Sequence, residues 1–148
     1  MSKREIWFRG KRKDNGEWIY GVPITDEATN DAYIITSTAG ASLKSEINNM
    51  CATGFRIIRN TVGQYTGLTD KNGARIFEGD IVKITDFHTT AIAAVKYGSP
   101  SEQSTSWGWY FEDNDGHAYF LMSKAFCEDY NGIIIGNIHD NPELLKGE

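Results

Sequence analysis

Hydrophobic and polar residues alternate in short runs along this chain, and the runs are separated by clusters of Gly, Asn, Asp and Ser. Near the N-terminus Ile6 and Phe8 fall on one side of an extended chain and Glu5, Trp7 and Arg9 on the other, the period-two signature of a strand. A second run over 17–22 follows Asp14-Asn15-Gly16, and Asn-Gly supplies the positive φ angles that a tight hairpin turn needs. The chain is therefore predicted to open with a β-hairpin. Pro23 lacks a backbone donor and is expected to end the second strand. The polar, acidic residues 25–32 read as a loop, and 33–36 as a short strand.

Between Ala39 and Cys51 the period changes. Leu43, Ile47, Met50 and Cys51 recur at helical spacing behind an N-cap at Ser42, which predicts one short helix. Strand patterns return at 55–59. Residues 61–68 and 74–77 flank Asp70-Lys71-Asn72-Gly73, and 107–111 and 117–122 flank Asn114-Asp115-Gly116, giving a second and a third hairpin. Gly79-Asp80 before the apolar run 81–84 predicts a sharp bend, with the Asp side chain capping nearby N–H groups. Residues 91–97 continue as a strand, 98–106 form a polar loop, and 132–138 read as a buried strand. Ser123 to Tyr130 is expected to hold one or two helical turns. Asn141-Pro142 reads as an N-cap with Pro at the first helical position, opening a short terminal helix. About ten short strands with one or two short helices predict a mainly β (β-rich α+β) fold.

At 148 residues, with 40% hydrophobic and 24% charged side chains, the chain fits one compact unit or two very small ones. The division read from the pattern is a hairpin region with a short helix over 1–60 and a barrel-like region over 61–148. No apolar run reaches the roughly 18–20 residues of a membrane helix, and residues 1–13 lack the apolar stretch of a signal peptide. The expectation is a cytoplasmic protein without a membrane partner. Two cysteines, Cys51 and Cys127, and three histidines supply neither a disulfide framework nor a structural zinc site. No metal and no cofactor are expected.

The net charge of −5 conceals a polarity. Residues 1–13 hold six bases (Lys3, Arg4, Arg9, Lys11, Arg12 and Lys13) against Glu5, a local charge of +5, and the remaining nine bases and nineteen acids give −10. A basic arm on an acidic body suits phosphates, and it equally suits the acidic face of another copy. The plainer reading is a strand edge protected by charge. Trp7, Trp18 and Tyr20 lie among Arg4, Arg9, Lys11, Arg12 and Lys13, and aromatics beside cations can stack bases while contacting phosphates. Farther along, Trp107, Trp109, Tyr110, Phe111, Tyr119 and Phe120 are many aromatics for a chain of this size, and Trp and Tyr favour interfaces. Of these, Trp107 and Trp109 are the candidate contact residues, although alternate positions must also fill the core.

Catalytic candidates are weaker. Glu78 with Asp80, Asp113 with Asp115, and His139 with Asp140 are carboxylate or acid–base pairs, and each also sits where a turn or cap explains it. Phosphate-cradling, zinc-protease and nucleophile-elbow motifs are absent. No catalytic residue is assigned, and a non-enzymatic protein is expected.

The segments REIWFRGK (4–11), GEWIYG (16–21), TVGQYTGLTDKNGARIFEGDIV (61–82) and IGNIHDNPELL (135–145) together resemble the YopX family of phage and prophage proteins. They cover a little under half the chain but span nearly its full length. Arg59-Asn60 departs from the Pro-Glu that more often precedes Thr-Val-Gly-Gln in that family. The resemblance implies a mainly β protein with a small SH3-like or irregular β-barrel part, self-associating, of unassigned biochemical function, and it carries no catalytic residues across. The reading is an accessory protein of the infected host's cytoplasm that works as a homo-oligomer and binds a host or phage protein. The alternative is a nucleic-acid-binding module using the N-terminal hairpin.

Overall fold

The computed structural model describes residues 5–36, 54–85, 88, 90–121, 129 and 131–146. The helix expected over 39–51, the helical turns expected over 123–130 apart from Asp129, and Arg4 lie outside the described residues. The chain divides into two compact units, Met1–Gln64 and Tyr65–Glu148.

In the first unit β1 (Phe8–Lys11), β2 (Trp18–Asp26), β3 (Asp31–Ile35) and β4 (Gly54–Ile57) pair antiparallel in chain order. A 3-10 turn at Arg59–Thr61 leads into β5 (Gly63–Thr69), whose first residues pair with the other edge of β1. The expected opening hairpin is present, with Gly16 at φ 73° in its turn. Phe8, Ile19 and Val62 pack on the buried Ala32, Ile34 and Ile57, so one face of this sheet is its core.

Pro23 does not end β2. The strand runs on to Asp26 and pairs Pro23 with Ile34 of β3, and the loop expected over 25–32 shrinks to a turn. The reason is a change of neighbour: β2 lies beside β1 over Trp18–Gly21 and beside β3 from Val22 onward. Pro23 thus sits on a one-sided stretch, where a missing donor is tolerated. Gly21 stands at the handover. A Cβ there would lie 2.1 Å from the Ile35 carbonyl oxygen, so the crossing of backbones requires glycine.

Past the end of β1 the chain swings back onto β4. Lys13 N–H donates to the Arg56 carbonyl (2.9 Å), Ile58 N–H donates to the Lys11 carbonyl (2.8 Å), and Arg12 bridges Ile57. This contact curls the sheet without closing it. A barrel needs a continuous ladder between its first and last strands; among the described residues both sheets are open, so the expected mainly β fold is found and the SH3-like or irregular barrel-like part expected over 61–148 is an open sheet rather than a closed barrel.

In the second unit the rest of β5 pairs with β6 (Arg75–Phe77). The main sheet holds β7 (Asp80–Thr85), β8 (Thr90–Gly98), β9 (Gly108–Glu112), β10 (Ala118–Leu121) and β11 (Ile133–Asn137) in the antiparallel order β10-β9-β8-β7-β11. Its core gathers Ile76, Val82, Ile84, Ala93, Val95 and Phe111, flanked by Trp109 and Ile134. The expected bend at Gly79-Asp80 is found. Gly79 has φ 87°, and the buried Asp80 carboxylate accepts the Phe77 N–H at 2.8 Å. The terminal helix forms as a 3-10 segment, Pro142–Lys146.

The two hairpin tips of this unit share one construction. Asp70 Oδ1 accepts the N–H groups of Asn72 and Ala74, each at 2.9 Å, and Gly73 has φ 84°. Asp113 Oδ1 accepts those of Asp115 and His117, also at 2.9 Å, and Gly116 has φ 82°. Asp70 makes a further bond: its Oδ2 accepts the Ile134 N–H at 3.1 Å, while Lys71 N–H donates to the Gly132 carbonyl at 2.8 Å. The tip of the β5–β6 hairpin thereby covers the outer edge of β11, one way of protecting an edge strand.

Candidate functional site

Three groups of side chains bear on function, two in the first unit and one in the second. The register sets Arg9 opposite Tyr20 and Lys11 opposite Trp18, so these four side chains share the sheet face turned away from the core, and Trp7 immediately precedes the strand. Trp18 is flanked by cations: the Arg9 guanidinium carbon lies 4.6 Å and the Lys11 ammonium 5.9 Å from its ring centre. Arg9 is buried, with 7% exposure, and Tyr20 remains 46% exposed. Of the residues grouped in the sequence, the structure brings Arg9, Lys11, Trp18 and Tyr20 onto one face, with Arg9 as an internal contact of that face.

Arg12 and Lys13 belong to a different surface. Arg12 lies over the Phe55 ring at 4.6 Å and forms a two-pronged pair with Asp14 (Nη2–Oδ2 2.6 Å, Nε–Oδ1 3.0 Å). Arg56 bonds Asp31 through Nε (3.1 Å) and Nη2. Arg12, Lys13, Asp14, Gly54, Phe55 and Arg56 line a cleft of about 470 Å³. The guanidinium hydrogen bonds hold both carboxylates below the ordinary Asp value, Asp14 through Arg12 and Asp31 through Arg56. Asp31 raises Arg56 in return. Phe55 and Arg56 were missed in the sequence, because no local pattern ties them to Arg12.

The third group is aromatic. β8 and β9 place Tyr97 opposite Trp109, with ring centres 4.9 Å apart, and Trp107 sits 6.4 Å from Tyr97. Trp109 leans on the core, whereas Trp107 is 69% and Tyr97 58% exposed. Tyr97 was not singled out from the sequence. Pairing the end of the 91–97 run with the start of the 107–111 run would have found it.

The acid–base candidates are held by local structure. Asp80 is the buried cap described above. Asn137 Oδ1 accepts the His139 and Asp140 N–H groups at 3.0 and 2.9 Å, so that pair lies in a capped turn. Asp113, Asp115 and His117 bring three ligand atoms within 4.8 Å of one another. The Asp113 carboxylate already serves its turn through Oδ1, and its Oδ2 lies 3.4 Å from His117 Nδ1. Exposed groups of this kind are ordinary turn chemistry.

Residues 7–146 match the family model described as YopX protein. No curated protein matches the chain. Among solved structures, the crystal structure of protein EF1440 from Enterococcus faecalis is similar with a TM-score of 0.56 and 22% identity, covering 97% of this chain and 99% of that one. At that identity the likeness concerns the fold. Among the described residues no helix is long and apolar enough to cross a membrane.

Proposed function

Because this chain belongs to the YopX family, we propose that it is a non-enzymatic phage or prophage accessory protein of the host cytoplasm that self-associates and binds a host or phage protein. The observation carrying this reading is the Tyr97–Trp107–Trp109 cluster, in which Tyr97 and Trp107 stay more than half exposed, with the Tyr97 ring in tilted contact with both tryptophans. Such rings bury much area with few rotors, so an aqueous face of this kind gains strongly from being covered. The charge polarity between residues 1–13 and the remainder supports a second copy as the first partner. Sedimentation velocity across a range of concentration and salt tests it. Concentration-dependent association, weakened by Trp107→Ser, is expected, and a monomer under every condition refutes it.

A second reading is favoured by the cation-flanked Trp18 beside exposed Tyr20. An aromatic–cation face on a strand pair is suited to stacking single-stranded bases near phosphates. Fluorescence anisotropy with labelled oligonucleotides at low salt should show binding that falls as salt rises. Binding that is absent or insensitive to salt sinks this reading.

A further inference from the structure

The cleft beside the first hairpin has a construction that the reading of the β1–β2 face does not use. The two distant segments that line it are fixed to one another, through Lys13 N–H to the Arg56 carbonyl, Ile58 N–H to the Lys11 carbonyl, and the Arg12–Ile57 bridge. Three cationic side chains, Arg12, Lys13 and Arg56, stand around it. The guanidinium of Arg12 is held against the face of Phe55. A planar, fixed guanidinium is pre-organised for an oxyanion. The volume of about 470 Å³ suits one small ligand and is far too small for a duplex.

The two ion pairs at the cleft indicate which anion fits. Asp14 and Asp31 already offer carboxylates to Arg12 and Arg56. A visiting carboxylate would exchange like for like and gain little. A phosphate monoester carries more charge and three acceptor oxygens, so it has more to offer the cations that line the cleft than the internal carboxylates it would release to water. Each pair has one member open to water, Asp14 at 64% and Arg56 at 51%, against a more covered partner, Arg12 at 24% and Asp31 at 21%, so a ligand can reach both pairs from the solvent side, where ion pairs contribute little stability. The Phe55–Arg12 stack then offers a flat surface to a base.

We propose that this cleft binds a nucleotide, with the phosphate held by Arg12, Lys13 and Arg56 and the base laid against the Phe55–Arg12 stack. The proposal rests on the nucleic-acid reading in its chemistry but names a separate surface. The same group can arrive as a free mononucleotide or as the phosphorylated end of a single strand.

Calorimetric titration of the full chain at low salt distinguishes these outcomes, with AMP, adenosine, inorganic phosphate and a 5′-phosphorylated oligothymidylate as probes. AMP should bind about tenfold or more tightly than adenosine or phosphate alone, and Arg56→Gln, Lys13→Gln and Phe55→Leu should each weaken it severalfold to about tenfold. Lys13→Gln changes an exposed side chain and keeps the test independent of folding. AMP binding at least as tightly as the oligonucleotide identifies a free nucleotide as the ligand, and tighter oligonucleotide binding lost in the same variants identifies a strand end. Oligonucleotide binding that ignores these variants but is weakened by Tyr20→Ala leaves the β1–β2 face standing and overturns the cleft. No binding of AMP or the oligonucleotide at millimolar concentration also overturns it, whether or not an acidic peptide binds there.

Discussion

Replacing Asp70 and Asp113 one at a time by alanine measures what burial and a long-range hydrogen bond add to one turn, because the two turns share the same local bonding pattern. In each, one carboxylate oxygen accepts two N–H groups of its own turn at 2.9 Å ahead of a positive-φ glycine. At Asp113 those bonds are exposed, so water can replace the lost acceptor and Asp113→Ala should cost about 1 kcal/mol. Asp70 is 6% exposed and also holds the partly buried Ile134 N–H. Its removal strands that donor, adding about 1–3 kcal/mol, so Asp70→Ala should cost about 2–4 kcal/mol. Asp70→Asn should fall between the two. Its remaining oxygen can serve the turn, but its amide then points N–H at N–H toward Ile134. Urea unfolding followed by tryptophan fluorescence reads the differences directly, and a fixed m-value shows that the midpoint shifts report stability. A thermal melt should show about 4 °C per kcal/mol for a chain of this length. If Asp70→Ala is no more destabilised than Asp113→Ala, within about 0.5 kcal/mol, then the tip of the β5–β6 hairpin does not hold β11 and the reasoning fails.

Other outcomes follow from the same geometry. Gly21→Ala places a Cβ 2.1 Å from the Ile35 carbonyl oxygen and should cost about 3 kcal/mol or more; Gly73→Ala has no atom within 4 Å and pays only its φ of 84°, about 1 kcal/mol, so equal melting points would refute the crossing at Gly21. The Asp31 carboxyl should titrate below its ordinary value of 3.8, and Arg56→Gln should return it toward that value in a carboxyl NMR titration. Since the folded pKa is depressed, the pair's contribution is present above pH 3.8 and is lost as pH falls through the lower, folded value; a wild-type midpoint at or above 3.8 contradicts the Arg56–Asp31 bond. Trp107→Ser should weaken self-association while leaving the melting point of the monomer nearly unchanged, because the ring is 69% exposed; a large loss of stability would make Trp107 a core residue instead.

The hairpins were legible because their signals are local. A glycine that must take positive φ, set behind Asn or Asp, marks Gly16, Gly73 and Gly116 as turns wherever the strands go. Alternation likewise predicts that Trp7, Arg9 and Lys11 share a face, and the ladder with β2 places Trp18 and Tyr20 beside them. What stayed hidden depends on partners far along the chain. Pro23 can lie within a strand only because β2 changes neighbours at Gly21, and nothing near Pro23 says so. Arg12 reads as one more charge in a basic arm until β4 brings Phe55 beneath it. Asp70 reads as a turn residue, and its third bond reaches a strand 64 positions away.

The bonds joining the end of β1 to β4 and the residues after it also set a time order. Lys11 N–H donates to the Thr61 hydroxyl across 50 positions, whereas the β1–β2 hairpin needs only its own turn. Loop-closure entropy delays contacts of that separation, so this seam is expected to zip last and, being only a few bonds wide, to open first. The cleft exists only while the seam is shut. Any ligand in the cleft must therefore slow hydrogen exchange at the Lys13 and Ile58 amides, and loosening the seam must weaken the ligand by the same free energy.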